Sequence, residues 1–525
     1  MPSEAQSDFI RDGVVFLSLG VTFGAACRAT WTQIGIGLIV GGVLSTLYLF
    51  HVNLGLGAPH EESRILSPKR WTEEEIRECY QRIQHEQPDM SKALPPKQNR
   101  RYIVIGGSGL LGRAIVRQLV LRGEQPEAIR ILDIRAPDAK LGKDLQNIAY
   151  IKTNITDASS VSAAFAAPWP TSVQNLPLAV HHTAAIIRHW ERHLDFYDLS
   201  APVNVTGMSN IISAARSHNA ACLIATSSIT VALRPANYWL PPWRSIPTNA
   251  IQVIAEPDWC LSAPRSAHWS MYALTKSEGE KLLRSADDPA TGFRTGVIRP
   301  GCAVYGGMDD NSVSNYLRRG GAPTWVQNTT QHFVSADNVG LAHLLYEARL
   351  AELSSGKSEF STRPDIGGQA FAVTDPNPAP KFQDVYDLLT TLAKTKTAFP
   401  TVPPVALFLI SYAVEWYSLL QHRYLGSVLP PIRGDLQNIQ PALFSVSTTH
   451  VVIDDSKARR IPEEGGLGYK APLQTMEAMC MEMVEWNALH AGADEGVQRK
   501  EREKGVVQQV EEAAEIGIVD VVGKA

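Results

Sequence analysis

Tyr272 and Lys276 stand four residues apart in SMYALTK, a spacing that puts both on one face of a helix. A phenol with a pKa near 10 is a poor base, and an adjacent ammonium favours the phenolate, so the pair can move a proton to or from a hydroxyl. YxxxK by itself is common by chance, and its surroundings give it weight. Upstream, the apolar run Leu223–Ala225 ends in three hydroxyls, Thr226, Ser227 and Ser228. Downstream, Thr295–Ile298 reads as another strand and closes on Arg299, Pro300 and Gly301.

The second chemical signal is a glycine turn. RYIVI, Arg101–Ile105, is an apolar strand, and GGSGLLG follows it directly with Gly106, Gly109, Leu111 and Gly112, before an amphipathic helix from Arg113 to Leu121. Strand, glycine turn and helix in that order let the backbone approach a pyrophosphate at the positive helix N-terminus. A second strand, Ile129–Ile134, carries Asp133, twenty-one residues after Gly112. An acidic residue there binds the ribose hydroxyls of NAD and repels a 2′-phosphate, while Arg135 keeps NADP open. Asn154 and Ile155, after a third strand at Ala149–Lys152, are placed for the adenine edge. Ala184 follows a fourth strand at Leu178–Val180, where a small residue admits the cofactor. In the same stretch His182 reads equally as a site residue or a plain strand end. Pro300 closes near the nicotinamide, and Lys276 can also hold the nicotinamide ribose.

These motifs need a scaffold of strands alternating with helices, the signature of a parallel α/β sheet, here expected over residues 100–490. The expected fold is a Rossmann-type doubly wound parallel sheet, with the NAD-binding part at about 100–305 and a smaller substrate part mainly at about 306–490. Residues 61–99 read as a linker, in which Thr72 and Glu75 make a capping box ahead of a short helix. Residues 491–525 read as a charged tail. Within the body, Val402–Val414 is an apolar run, too short to span a bilayer, that reads as either a buried or an interfacial helix. Residues 1–60 read as a membrane anchor. Ile34–Val52 is interrupted only by Ser45, Thr46 and His51 and shows no polar face. At 1.5 Å per residue it reaches about 28 Å, close to the hydrocarbon thickness. Gly13–Cys27 upstream is either a short second span or an interfacial segment. Arg64, Lys69 and Arg70 after the span outweigh Arg11 and Arg28 before it, which places the C-terminal part in the cytosol, and the endoplasmic reticulum is the expected membrane. Gly37 and Gly41 form a GxxxG that offers a pairing face for a homodimer.

In this order the motifs resemble the extended short-chain dehydrogenase/reductases. Within them they look like the 3β-hydroxysteroid dehydrogenase and sterol-4α-carboxylate 3-dehydrogenase group. The residues carrying the resemblance are IGGSGLLG, LDIR, HHTAA, NVTGMSNIISAA, TSS, YALTK, VIRPGCAVYG and FVSADNVGLAHLL, then GGQAFAVTD and LGYKAP, spanning Arg101 to Trp486. The resemblance implies Tyr272 as acid/base, Lys276 as its activator, Ser228 as donor to the reacting oxygen and Asn204 as support for a proton relay. It implies NAD, with NADP open, and a hydrophobic sterol- or terpenoid-like alcohol oxidised at a 3β-hydroxyl, with loss of a C4 carboxylate as one version. Three departures stand out. Ile105 replaces a usual threonine, Asn154 stands where an aspartate is common, and forty-four residues separate Ser228 from Tyr272. That insert holds Tyr238, Trp239, Trp243, Trp259 and Trp269, read either as a flap over the substrate or as a self-packed loop.

Composition narrows the field further. Lys plus Arg total 49 against 53 for Asp plus Glu, and with no basic stripe nucleic acid is not an expected partner. The six cysteines hold no CxxC pair, so neither a disulfide framework nor a thiolate metal site is expected. Two other readings keep the same motifs: a nucleotide-sugar epimerase or dehydratase, and a membrane-tethered NAD-binding protein without catalysis.

Overall fold

The structure is a computed structural model and describes residues 31–57, 60–138, 147–255, 258–354, 357–376 and 378–491. The upstream apolar run Gly13–Cys27 and the tail beyond Ala491 lie outside the described residues.

Eleven strands are described: β1 (Arg101–Ile105), β2 (Ile129–Asp133), β3 (Ala149–Lys152), β4 (Leu178–His182), β5 (Ala220–Thr226), β6 (Ile251–Ala255), β7 (Arg294–Pro300), β8 (Ala303–Tyr305), β9 (Phe333–Ser335), β10 (Ala370–Val373) and β11 (His450–Asp454). Seven form one sheet in the order β10-β7-β5-β4-β1-β2-β3. Every pairing in it is parallel, as a doubly wound fold requires. The strand order reverses between β1 and β4, so the crevice at their carboxyl ends is the place where such sheets bind ligands.

Side chains alternate across this sheet and build two apolar layers. Tyr102, Val104, Ile129 and Ile131 pack with Ile115 and Leu119 of the helix Leu110–Leu121 and with Leu341 and Leu344 of the helix Ala336–Ser354. Ile103, Ile105 and Leu132 face the other way, onto Val161, Phe165, Ile211 and Leu283. The near-continuous apolar strands of the sequence follow from this burial on both faces.

One charge pair crosses the second layer. Arg299 of β7 and Glu280 of the helix Met271–Arg284 have fully buried side chains and form two hydrogen bonds, at 3.1 and 2.5 Å. Removing the Glu280 charge leaves the buried Arg299 guanidinium with the more distant Asp258 carboxylate, at 3.7 Å, as a counter-charge. Glu280→Gln is therefore expected to lower unfolding stability by about 3–5 kcal/mol, read as a lower denaturant midpoint at unchanged slope.

The C-terminal half is woven into this body. Its β10 is the edge strand of the main sheet, paired with β7. Its β11 pairs in parallel with β6, which belongs to the insert between Ser228 and Tyr272. The insert's aromatics thus part company instead of making a single flap or a self-packed loop. Trp269 is buried and donates to the Thr230 carbonyl at 2.8 Å. Tyr238 is buried against Phe408, Trp239 donates to the Tyr412 hydroxyl at 2.9 Å, and Trp243 is 84% exposed.

In the linker, Thr72 and Glu75 form the reciprocal capping box that their spacing predicts, at the start of the helix Glu73–His85. Its apolar face, Ile76, Cys79 and Ile83, packs with Met479, Cys480 and Met483 of the last described helix, Thr475–Leu489. Ahead of the linker, the 27-residue helix Trp31–Gly57 is long and apolar enough to cross a membrane by length and composition, and it is the one such helix among the described residues. Leu38, Ile39, Leu44 and Leu47 are each at least 60% exposed. Only its last turns enter the body, where Val52 and Leu56 are buried with Tyr238, Phe408 and Phe444.

Candidate active site

At the carboxyl end of β1 the chain turns tightly because it has no side chains to accommodate. A Cβ on Gly112 would lie 2.2 Å from the Gly106 carbonyl oxygen, and one on Gly106 would lie 2.5 Å from the Ala184 amide. The turn therefore rests against Ala184 and presses the helix Leu110–Leu121 close to the strand. Gly109 caps that helix with no side-chain hydrogen bond, which leaves its first N–H groups for an anion. Asp133 borders the same turn. One of its carboxylate oxygens accepts from the Ser108 amide at 3.1 Å and the other from the Arg135 amide at 3.2 Å, which fixes the carboxylate beside the glycines. Close backbone approach, open N–H groups and a fixed carboxylate suit a dinucleotide's pyrophosphate and adenosine ribose.

Gly106, Gly109, Leu111, Gly112, Asp133 and Ala184 are thus gathered at the ends of β1, β2 and β4. Ile155 lies further out, buried against Gly207, where a Cβ would meet its side chain at 2.8 Å. Asn154 is exposed, and its carboxamide oxygen is taken by the Thr156 amide and hydroxyl at 3.0 and 2.9 Å. Pro300 ends β7 opposite Val373.

The catalytic candidates meet at the end of β5. Ser270 caps the helix Met271–Arg284 by accepting from the Ala273 amide at 3.1 Å, so Tyr272 falls in its first turn with Lys276 one turn on. Ser228 follows β5; its hydroxyl bonds Thr230 Oγ1 at 2.8 Å and lies near enough to the Tyr272 phenol to act on its pKa. Burial pushes the phenol up to about 12, and the Ser228 hydrogen bond draws it back only in part. Lys276 is buried too, which lowers its ammonium to about 8 against a pull upward from Glu280. It donates to the Thr226 carbonyl at 2.7 Å. Around Tyr272 the packing is apolar: Trp269, Ala273, Ala442, Val451 and Ile453 share its cluster, with Cys302 and Val446 beside it.

Asn204 sits in a widened helical turn, Pro202–Thr206. Its side chain accepts from the Ile186 amide at 3.0 Å and donates to the Ile186 carbonyl at 3.1 Å and to Thr275 Oγ1 at 3.0 Å. It clamps the loop after β4 to the catalytic helix.

Two histidines extend the site in a way the sequence hinted at only weakly. His343 receives or gives a hydrogen bond at Thr226 Oγ1, 2.8 Å, and approaches His181 at 3.4 Å. His182 ends β4, and Lys276 is among the charges that hold its imidazole near 3, after burial. Burial alone lowers the His343 imidazole to about 3 as well. HHTAA marks where His182 falls, but nothing local ties His343, 117 residues beyond Thr226, to the same place.

A Rossmann crevice beside a Tyr–Lys–Ser group suits nicotinamide chemistry at a hydroxyl-bearing carbon. The chain belongs to the 3-beta hydroxysteroid dehydrogenase/isomerase family, whose sequence model matches residues 103–398, and it is an NAD(P)-dependent enzyme of that kind. It is 26% identical over 53% of its length to the decarboxylating sterol-4-alpha-carboxylate 3-dehydrogenase of Candida albicans, covering 70% of that protein. To the mouse enzyme of the same name it is 23% identical over 74% of its length, covering 90% of that protein. Among solved structures, the UDP-glucose 4-epimerase of Thermotoga maritima aligns with 74% of this chain and 99% of its own, at a TM-score of 0.46 and 16% identity.

Proposed function

We propose that this protein is a membrane-anchored dehydrogenase that oxidises the 3β-hydroxyl of a sterol or similar terpenoid lipid to a ketone. The observation that carries the reading is the apolar cluster against which Tyr272 packs, with Trp269, Ala442, Val451 and Ile453, which suits a ring hydrocarbon. Held by its pyrophosphate at the glycine turn, the dinucleotide would supply a nicotinamide as hydride acceptor. Acting as the phenolate, Tyr272 Oη would take the hydroxyl proton while Ser228 Oγ donates to the substrate oxygen, and the Lys276 ammonium one helical turn on favours the phenolate. Asn204 keeps the catalytic helix against the loop after β4. If the lipid carries a carboxylate at C4, the product is a β-keto acid, which loses carbon dioxide with little further help. The names of the relatives favour this version.

Asp133 supports NAD over NADP. Asp133→Ser is expected to reduce the preference for NAD at least about tenfold, read as the ratio of kcat/KM for the two cofactors. The helix Trp31–Gly57 would be the anchor, with the body on the cytosolic face of the endoplasmic reticulum. Residues 100–490 would act as one catalytic unit, with 61–99 as its tether.

The test is direct. Full-length protein in lipid nanodiscs is given NAD or NADP with 3β-hydroxysterols that carry or lack a 4-carboxyl, and products are followed by mass spectrometry. A 3-ketone with reduced cofactor is expected, and the carboxylated sterol should also lose 44 mass units as carbon dioxide. Failure to reduce either cofactor with any lipid alcohol, or thermal stabilisation by sugar nucleotides, would overturn the substrate class.

A further inference from the structure

Thr226, the last residue of β5, is bonded on both faces of the sheet. Its carbonyl accepts from Lys276 Nζ at 2.7 Å. Its hydroxyl lies 2.8 Å from His343 Nε2, on the helix Ala336–Ser354. The next amide, Ser227, donates to the Ile298 carbonyl at 2.7 Å, and the pairing of β5 with β7 goes no further.

Behind His343 stands a second imidazole. His181 Nδ1 is 3.4 Å from His343 Nδ1, and the His181 ring stacks on Tyr102 with centroids 6.3 Å apart. All three rings are fully buried, and burial lowers both imidazoles, so each is neutral. A neutral imidazole has one N–H and one bare nitrogen. His181 Nε2 is buried without a hydrogen-bond partner among the described residues. Orphaned buried N–H groups are rarer than under-used acceptors, which puts the His181 proton on Nδ1. His181 then donates to His343 Nδ1, and His343 carries its own proton on Nε2, aimed at Thr226 Oγ1.

We propose that His343 is a positioning residue for the reaction: by holding the Thr226 side chain, it sets the carbonyl that anchors Lys276 Nζ. The proposal rests on Tyr272 and Lys276 as the catalytic pair. A threonine side chain has few χ1 choices, so fixing Oγ1 fixes the Cα at the strand end. The Ser227 amide holds the far side of the same peptide plane, and the carbonyl keeps its aim. An acceptor on the ammonium favours its charged form, the form that supports the phenolate. The other titratable groups acting across Lys276 are Glu280 on its own helix, which also binds Arg299 of β7, and His182 at the end of β4.

The first arm of the test needs no substrate. Full-length protein in lipid nanodiscs is unfolded by denaturant at pH 7 and pH 10 as wild type, His343→Leu, Lys276→Met and the double variant. At pH 7 we expect His343→Leu to lower the midpoint more with Lys276 in place than in the Lys276→Met background. By about pH 10, where the buried amine is neutral, the two losses should converge. Equal losses in both backgrounds at pH 7 would overturn the proposal. Should His343→Leu fail to fold, Thr226→Val removes the same bond within the strand and enters the cycle with the same expectations. The second arm uses whichever lipid alcohol is turned over. There His343→Leu should lower kcat by about ten- to a hundredfold at unchanged KM for NAD and move the alkaline limb of kcat to lower pH. His343→Gln, whose amide can donate to Thr226 Oγ1, should recover most of both. An unchanged kcat and pH profile in His343→Leu would overturn the proposal. Absence of turnover in the wild type would instead count against the substrate class, with the unfolding cycle still deciding the role of His343.

Discussion

Tyr272→Phe is expected to lower kcat by on the order of 10²–10⁴-fold, the usual contribution of a positioned acid/base, with little change in folding. The ring would keep its place against the apolar cluster of Trp269, Ala273, Val451 and Ile453, since phenylalanine presents the same ring carbons to it. What disappears is Oη, and Ser228 keeps its hydrogen bond with Thr230 Oγ1 at 2.8 Å. Binding at the glycine turn is separate from the phenol, so stabilisation by NAD in a thermal melt should survive. Loss of turnover with intact NAD binding is the expected pair of results. Full turnover in the variant would instead mean that the chain holds the dinucleotide without using the phenol, as a non-catalytic tether would.

Lys276→Met should separate catalysis from stability. The ammonium is held at about 8, against an ordinary 10.5, by burial. A lysine whose pKa is lower in the folded state takes up fewer protons there than when unfolded. Folding stability then rises with pH between those two values. A shift of this size corresponds to roughly 3 kcal/mol, present as a cost at pH 7 and relieved by about pH 10.5. Methionine removes the titration. Relative to the variant, the wild type should therefore gain about 3 kcal/mol as pH is raised from 7 to 10.5, measured by denaturant unfolding at each pH. Turnover should fall at least about a hundredfold, since the variant has no charge to support the phenolate. A stability difference that does not change with pH would mean that the ammonium is not desolvated.

The glycine turn, Asp133, Tyr272 and Lys276 were legible in the sequence because each depends on spacing within one turn or one strand–helix unit. The capping box at Thr72 was legible for the same reason. Long-range placement was not. Nothing in the spacing shows that β11 pairs with β6, that His343 reaches Thr226, or that the insert's tryptophans go to different neighbours. Asn204 falls between the two cases. Its place in NVTGMSN is visible, but its three hydrogen bonds to Ile186 and Thr275 depend on where two distant segments meet. The apolar run at Val402–Val414 left buried and interfacial readings open, since composition cannot say which side of a helix finds a partner. The structure buries one face of it and exposes the other.

The pairing of β6 with β11 also sets a schedule for synthesis. Gln252 lies opposite Val451, and the cluster around Tyr272 is completed by Ala442, Val451 and Ile453, all encoded beyond residue 398, where the family match ends. A nascent chain therefore presents its first apolar helix early and can build β1 to β5 from contacts close in sequence, yet it cannot complete the cluster against which Tyr272 packs until nearly all of the body has emerged. Contacts this far apart form slowly and leave apolar surface waiting for its partner. The segment that the family's sequence model matches is thus shorter than the segment that folds.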